Sequence, residues 1–386
     1  MEVALHELGK IFTGNTPSKK NKNYWNSEDI VFIKPNDLNN NNLLLNDKNN
    51  ECVSKDALAK ARIVGRNSIL VTCIGTIGKI AITTDAKTAF NQQINAIVPN
   101  KNVYTKYLAY ALMHYKPRLA ALANAPVVPI INKKQFSNFK VNLNLDKEIQ
   151  YTVIRQLDLV SEIIKNKNRQ LSKLDELIKA RFVEMFGDPR SVIKKAENTI
   201  SEIADVQVGI VIKPSRYYSA DVTDTKVFRS LNVLPFKVNK NSDWVYFSKK
   251  GMELNQRTIV HAGDILIVRS GNPGTACIVS DEYDGCNVID LIIAHPNLNK
   301  ILPEYLCAYT NLPYGKIQIQ RQQRGVAQKH FNVTMYKNLK ILVPPLSLQS
   351  EFANFVHQVD KSKVAVQKSL DETQKLFDNL MQEYFG

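Results

Sequence analysis

The chain repeats itself once, and that duplication limits the folds open to it. Shifted by 196 residues, Ile69-Leu-Val-Thr-Cys-Ile-Gly75-Thr-Ile-Gly78 lies over Ile265-Leu-Ile-Val-Arg-Ser-Gly271-Asn-Pro-Gly274. Under the same shift Asn91 meets Asn287, and Ala96-Ile97-Val98 meets Ile292-Ile293-Ala294. Upstream, Leu8, Gly14 and Pro17 resemble Ile203, Gly209 and Pro214. Downstream, Asn138-Phe-Lys-Val141 resembles Asn338-Leu-Lys-Ile341, and Met185-Phe186-Gly187 resembles Tyr384-Phe385-Gly386. These matches keep one order at a nearly constant shift, so the unit is about half of the 386 residues, present twice.

Each copy is a basic region followed by a nearly neutral one. Residues 1–145 carry a net charge of +10, 146–190 of +1, 191–346 of +6 and 347–386 of −2, within a total of +15. The basic regions read as β-rich. Ile69–Cys73 and Lys79–Thr83 are β-branched runs flanking Gly75 and Gly78, and Ile265–Val268 and Ala276–Val279 flank Gly271 and Gly274, so a hairpin is expected in each. Glycine there supplies the positive φ of a tight turn.

The neutral regions read as long helices. Leu157, Val160, Ile164, Lys167, Leu171, Leu174, Ile178, Arg181 and Met185 fall at alternating steps of three and four. Val356, Val359, Lys363, Val366, Leu370, Thr373, Phe377, Leu380 and Tyr384 do the same. Four heptads with apolar a and d positions predict a coiled-coil seam, interrupted at Lys167, Arg181, Lys363 and Thr373. A domain of ~150 residues between the two helices favours antiparallel pairing, with the β-rich heads at opposite ends. A rod of about 30 residues spans roughly 45 Å at ~1.5 Å per residue, or about 13 base pairs of duplex at ~3.4 Å each, so it could serve as a ruler. The expected fold is α+β. Its parts are target-recognition domain 1 over 1–144, helical spacer 1 over 145–187, target-recognition domain 2 over 188–346 and helical spacer 2 over 347–386.

A strongly basic balance favours polyanions, either nucleic acid or an acidic membrane. No run reaches the ~18–20 apolar residues of a membrane span, and the opening MEVALHELGK has no signal-peptide core. Nucleic acid is therefore the expected partner, and the cytoplasm the expected compartment. The five cysteines form no C-x-x-C pair and read as reduced, mostly buried thiols. Metal-ligand spacing with the six histidines is not visible, so no metal is expected.

The residues resemble a known family. Leu8-Gly-Lys-Ile-Phe-Thr-Gly-Asn-Thr-Pro-Ser18, with Tyr24-Trp25 and Asp29-Ile-Val-Phe-Ile33, resembles the opening of a target-recognition domain of type I restriction–modification specificity (S) subunits. Gly75-Thr-Ile-Gly78 and Ala89-Phe-Asn-Gln-Gln-Ile-Asn-Ala-Ile97 resemble its middle. Gly325-Val-Ala-Gln328 and Val343-Pro-Pro-Leu346 with Gln349 resemble its end and the start of a spacer. The first half departs, with Asn144-Leu145 in place of Pro-Pro-Leu and Ala125-Pro-Val-Val128 in place of Gly-x-x-Gln. The second half opens on Lys213-Pro-Ser-Arg-Tyr-Tyr218. The resemblance implies a non-catalytic subunit that reads a bipartite, asymmetric DNA target. It implies spacers that dock two modification (methyltransferase) subunits, which restriction subunits then join. S-adenosylmethionine, ATP and Mg would belong to those partners, and no cofactor to this chain.

The motifs that resemble catalytic ones are each incomplete. Asn311-Leu-Pro-Tyr314 mimics the Asn-Pro-Pro-Tyr site of adenine methyltransferases but lacks its first proline, and no glycine-rich cofactor loop precedes it. Gly75-Thr-Ile-Gly78-Lys79 lacks the spacing of a P-loop, with Cys73 and Ile80 at required positions. Asp224-Thr-Lys226 has no acidic partner at nuclease spacing. Binding residues are plentiful, because Arg and Lys suit guanine edges and phosphates while Asn and Gln suit adenine edges. The candidates in the first half are Ser18, Lys19, Lys20, Lys34, Asn36, Thr76, Gln92, Gln93, Lys133 and Lys134. In the second they are Arg216, Arg229, Ser230, Asn232, Arg269, Ser270, Arg321, Gln322, Gln323, Arg324, Gln328, Lys329 and His330. The run from Arg321 is dense in bidentate donors and precedes a strand-like segment. A different class, a coiled-coil scaffold with basic heads for RNA or an acidic protein, would share the same charge pattern.

Overall fold

The structure, a computed structural model, describes residues 1–25, 27–38, 43–45, 51–123, 128–323 and 331–386. The chain divides into two compact units, one of residues 1–168 with 368–386, the other of residues 169–367. Two 40-residue helices, Lys147–Phe186 and Leu346–Phe385, each contribute one part to either unit.

In the first unit the strands are β1 (Glu2–Ala4), β2 (Gly9–Thr13), β3 (Ile30–Ile33), β4 (Glu51–Val53), β5 (Ile63–Val64), β6 (Ile69–Thr72), β7 (Ile80–Ile82), β8 (Thr88–Phe90), β9 (Ile94–Pro99) and β10 (Lys140–Asn142). An antiparallel sheet has the order β2-β9-β6-β7, and a second sheet, β4-β3-β8-β5, contains the parallel pair β3 and β8. Ile69 and Val71 of β6 face a core that includes the helices, while Leu70 between them faces the second sheet. Burial on both faces explains why β6 is a continuous apolar run rather than an alternating one.

The second unit repeats this plan with β11 (Asn198–Thr199), β12 (Ala204–Val208), β13 (Tyr218–Ser219), β14 (Thr225–Phe228), β15 (Val233–Leu234), β16 (Lys237–Val238), β17 (Val245–Phe247), β18 (Ile265–Val268), β19 (Ala276–Ile278), β20 (Asn287–Val288), β21 (Leu291–Pro296) and β22 (Lys340–Ile341). Its sheets run β12-β21-β18-β19 and β13-β17-β14-β20, with β14 and β20 parallel as β3 and β8 are. The duplicated glycine hairpins are the pairs β6–β7 and β18–β19. The heads also hold helices that the strand pattern does not foretell, among them Thr105–His114 in the first and Pro303–Asn311 and Pro313–Gln323 in the second. The segment after Arg321 is a further correction. Where a strand-like run is expected, Asn332 caps the short helix Val333–Lys337.

The long helices pair antiparallel in both units. Leu157, Val160, Ile178, Val356, Val359 and Phe377 are buried, and Ile164, Leu171, Leu174, Met185, Val366, Leu370, Leu380 and Tyr384 are half-buried. The interruptions are answered from the facing helix. Lys167 Nζ donates to Ser369 Oγ at 2.7 Å in the first unit. In the second, Lys363 meets Asp175 at 2.7 Å and Arg181 meets Glu351 at 2.7 Å. Thr373 instead turns its hydroxyl to the Ser369 carbonyl of its own helix.

Where the helices meet the heads, aromatic side chains close the seam. Tyr107 and Tyr110 pack on Phe385 and Phe377 in the first unit, with centroids 5.2 and 6.2 Å apart. In the second, Phe182 stacks on Tyr305 at 5.2 Å and meets Tyr314 and Phe352 edge-on. A buried glutamine fastens each joint. Gln150 accepts from Tyr104 N at 2.9 Å and donates to the Asn102 and Asn144 carbonyls at 3.1 and 3.0 Å. Gln349 accepts from Leu302 N at 2.8 Å and donates to the Lys300 and Pro344 carbonyls at 3.0 and 2.8 Å. Both side chains are fully buried, and removing either amide strands three backbone groups away from water. Gln150→Ala and Gln349→Ala should each destabilise the unit that holds them by about 1–3 kcal/mol. Urea unfolding checks this, and a loss confined to a few tenths would contradict the joint.

Candidate nucleic-acid interface

Several of the candidate side chains lie on or beside the hairpin ends of the sheets. In the first head the β6–β7 turn is set by Gly75 and Gly78, with φ of 76° and 77°, and in the second by Gly271 and Gly274, with φ of 83° and 75°. Beneath each turn lies a lysine of the following helices. The Lys116 side chain covers Gly78, and Lys316 Nζ donates to the Pro273 carbonyl at 2.9 Å. Burial pushes the Lys316 ammonium down to about 8.

Hydrogen bonds tie the neighbouring turns of the first head into one face. Cys73 N donates to the Gln93 carbonyl at 2.8 Å, and Asn91 N to the Ile33 carbonyl at 3.0 Å. Thr16 Oγ1 donates to Gln92 Oε1 at 2.6 Å, and Lys79 Nζ to the Pro35 carbonyl at 3.3 Å. Thr76, Gln92 and Asn36 are exposed on that face, while Gln93 is half-buried and bonded to Asn91. Ile131 N donates to the Cys73 carbonyl, which brings in the short helix that opens with exposed Lys133 and Lys134. At its side Lys19 and Lys34 both pair with Glu51, the first at 3.2 Å. Lys19 also lies over the Trp25 ring, whose Nε1 donates to the carbonyl of exposed Ser18, and Lys20 is exposed beside it.

In the second head Arg229 occupies the place that Lys34 holds in the first. Each follows the parallel strand and precedes a short 3-10 turn. Lys34 N donates to Asp37 Oδ2 and Arg229 N to Asn232 Oδ1, both at 2.7 Å. Asn232 is fully buried and spends its amide nitrogen on Ser242 Oγ and the Asp243 carbonyl, so its side chain shapes the turn. Arg229 Nη2 donates to the Asp243 carbonyl at 2.8 Å, and Ser230 next to it is exposed. Arg269, with a side chain 16% exposed, pairs with Asp290, and its backbone joins Phe331. Ser270 beside it is half-buried. Arg216 is exposed on the Pro214–Tyr217 turn, where no bond joins it to the hairpin among the described residues. Arg321, Gln322 and Gln323 end the helix Pro313–Gln323, and Arg321 lines a basic cleft with Arg190 and Lys194. Arg324, Gln328, Lys329 and His330 lie outside the described residues.

Motifs with a superficial catalytic likeness are spent on structure. Asn311 Nδ2 bonds the Ala276 and Cys307 carbonyls, and Tyr314 is buried with its hydroxyl on the Gly187 carbonyl. Burial pushes the Cys73 and Cys277 thiols up to about 12 and that of Cys286 up to about 11, so they stay protonated, and Cys307 is buried too. Cys52 is only half-buried. Among the described residues no three His, Cys, Asp or Glu side chains are gathered as a metal ion requires, and no helix is long and apolar enough to cross a membrane. The acids Glu51 and Asp290 and the pair Arg190 and Lys194 are not among the residues that the sequence marks as candidates. Glu51 faces Phe32 through the pairing of β3 with β4, a placement that no spacing in the sequence signals.

Two heads of one plan, joined by helices that pair in antiparallel fashion, define a duplicated recognition protein. The family model for the type I restriction modification DNA specificity domain matches residues 1–175 and again 197–373, and the chain belongs to that family. It is 28% identical over 188 residues to the HindI specificity subunit of Haemophilus influenzae, covering 47% of this chain and 40% of that protein. It is 20% identical over 400 residues to the MjaIX specificity subunit of Methanocaldococcus jannaschii, covering 98% and 90%. The S subunit from M. genitalium shares the fold, with a TM-score of 0.56 at 15% identity over 100% of this chain and 96% of that one. Nothing in these likenesses supports a scaffold for RNA or acidic proteins.

The turns can be tested without DNA. A Cβ at Gly75 would meet nothing within 4 Å, whereas one at Gly274 would lie 2.3 Å from Ile319 Cδ1. Gly75→Ala should therefore cost about 1–2 kcal/mol, the left-handed backbone penalty alone. Gly274→Ala should cost more in its own unit. Equal losses in urea unfolding would refute that difference.

Proposed function

We propose that this chain is the specificity subunit of a type I restriction–modification complex and that its heads read the two halves of a split, asymmetric DNA target. The observation that carries this reading is the repeated face. Each head presents a glycine hairpin, a cation at the end of the parallel strand (Lys34 or Arg229) and a turn between the last two sheet strands. The chemistry around that frame differs. The first head offers Thr76, Gln92, Gln93 and Asn36, which suit adenine edges or phosphates, and the second offers Arg229, Ser230 and Arg269, which suit guanine. Unlike faces on like frames read unlike half-sites. Lys19, Lys20, Lys133, Lys134, Arg216 and Arg321 would hold phosphates, which position without reading.

On this reading residues 1–144 and 188–346 are the readers, and 145–187 and 347–386 the spacers. The spacers set the interval between half-sites and dock two methyltransferase subunits in the cytoplasm. Restriction subunits join them, and S-adenosylmethionine, ATP and Mg are bound by these partners.

Co-expression with a modification subunit, followed by mapping of methylated adenines, tests the assignment. A two-part motif that appears only with this chain is the expected result, and methylation indifferent to its presence would overturn it. The ruler has its own test. Deleting 165–171 together with 365–371 removes facing heptads, or about 10 Å of each helix. The motif's gap should shorten by about three base pairs, and an unchanged gap would remove the spacing role.

A further inference from the structure

Three cations of the reading faces, Lys19, Lys34 and Arg269, are held by acids of the same faces. Glu51, at the start of β4, takes Lys19 on one carboxylate oxygen and Lys34 on the other. Its side chain is one third exposed, less than that of either lysine. Partial burial raises its carboxyl, the hydrogen bonds from Lys34 and Lys19 lower it, and the net result lies below the ordinary value, so it is charged at neutral pH. In the second head Asp290, at the turn between β20 and β21, holds Arg269. Its φ of 51° is a left-handed conformation that most side chains avoid. The two acids do not occupy matching places in the repeat, so each head holds its cations by a contact of its own.

We infer that Glu51 and Asp290 are specificity-determining latches, carboxylates that neutralise Lys19, Lys34 and Arg269 in the free protein and surrender them only to DNA whose contacts repay the broken pairs. This rests on the DNA-reading assignment above. The physical case is the sign of the alternatives. A free surface lysine binds any phosphate, and each phosphate neutralised adds about 0.9 to the salt slope of binding whatever the sequence. A lysine paired to a carboxylate adds nothing until that pair breaks. Latching therefore lowers affinity for random duplex more than affinity for a target that supplies base contacts as well, which is specificity by weakening the competitor.

The test uses the full chain and a random-sequence duplex of about 30 base pairs. Glu51→Gln keeps the shape and removes the charge, and Asp290→Asn keeps a residue that tolerates positive φ. The control is Glu28→Gln, an exposed acid of the first head that pairs with neither lysine among the described residues. Relative to the control, Glu51→Gln should steepen the slope of log binding constant against log salt by about 1.8, and Asp290→Asn by about 0.9. Combined with Lys34→Met, the Glu51→Gln gain should fall to about half. A slope for Glu51→Gln no steeper than the control would overturn the latch. Weaker binding by Glu51→Gln would also overturn it, marking Glu51 as a direct contact. Wild-type chain without any salt-dependent binding to duplex would instead sink the DNA-reading assignment itself, and the latch with it.

Discussion

Everything the heads do depends on their being fixed to the helices, and that attachment is a pair of buried amides. Gln150 and Gln349 stand one turn inside their helices and satisfy backbone groups of the loops around them. An apolar residue there would fill the space but orphan three polar groups. An acid could accept from Tyr104 N or Leu302 N but could donate to neither carbonyl. Only a side chain with a donor and an acceptor on one carbon serves both, and both copies keep it. Around the amides, tyrosine rings from the head helices lie against Phe377, Phe385, Phe182 and Phe186 and supply the apolar area.

Between these joints the helix pair is thin. From 161 to 177 and from 360 to 376 no side chain is fully buried, because two helices alone cannot exclude water from their seam. Hydrophobic contact there is weak in specifying register, since one heptad fits much like the next. The polar interruptions do the specifying. Lys167 finds Ser369, Lys363 finds Asp175 and Arg181 finds Glu351 in one register alone. A slip by a heptad would part Lys363 from Asp175 and Arg181 from Glu351, setting Asn168 or Phe182 and Pro344 or Gln358 in the acids' places, so residues that look like flaws in an apolar repeat fix the alignment of the helices.

Much of this was legible because duplication compares the chain with itself. The hairpin glycines, the seam positions and the order of head and helix all follow from matched spacing, and the structure places Ile69–Thr72 and Ile265–Val268 where the shift put them. What stayed hidden depends on contacts between segments remote in sequence. The helix of Tyr107 and Tyr110 is buried on nearly every side and so shows little of the periodicity that marks an amphipathic helix. Phe182 and Phe352 sit beside the heptad positions, where they meet each other across the helix pair and Phe182 also stacks on Tyr305 of the head. At the reading face, Asn232 has the side chain of an adenine reader, but its burial cannot be inferred from its type. Lys34 and Arg229 each stand out as binding candidates in the sequence, but their equivalence emerges only when the parallel strands β3 and β14 line them up.

That equivalence bears on how a duplicated reader diverges. The frame is held by backbone bonds, with Asn91 N on the Ile33 carbonyl in one head and Ile289 N on the Phe228 carbonyl in the other, so side chains can change without moving it. At the shared position the first head places a lysine held by a carboxylate, and the second an arginine held by a backbone carbonyl. A carbonyl partner orients the guanidinium and leaves its charge intact, whereas a carboxylate cancels the ammonium. The two heads thus begin from different electrostatic states on one scaffold. A polyanion approaching the second head meets a cation already aimed, and at the first it must compete with Glu51. Divergence of target therefore needs no change of fold, only a change in what each cation leans on.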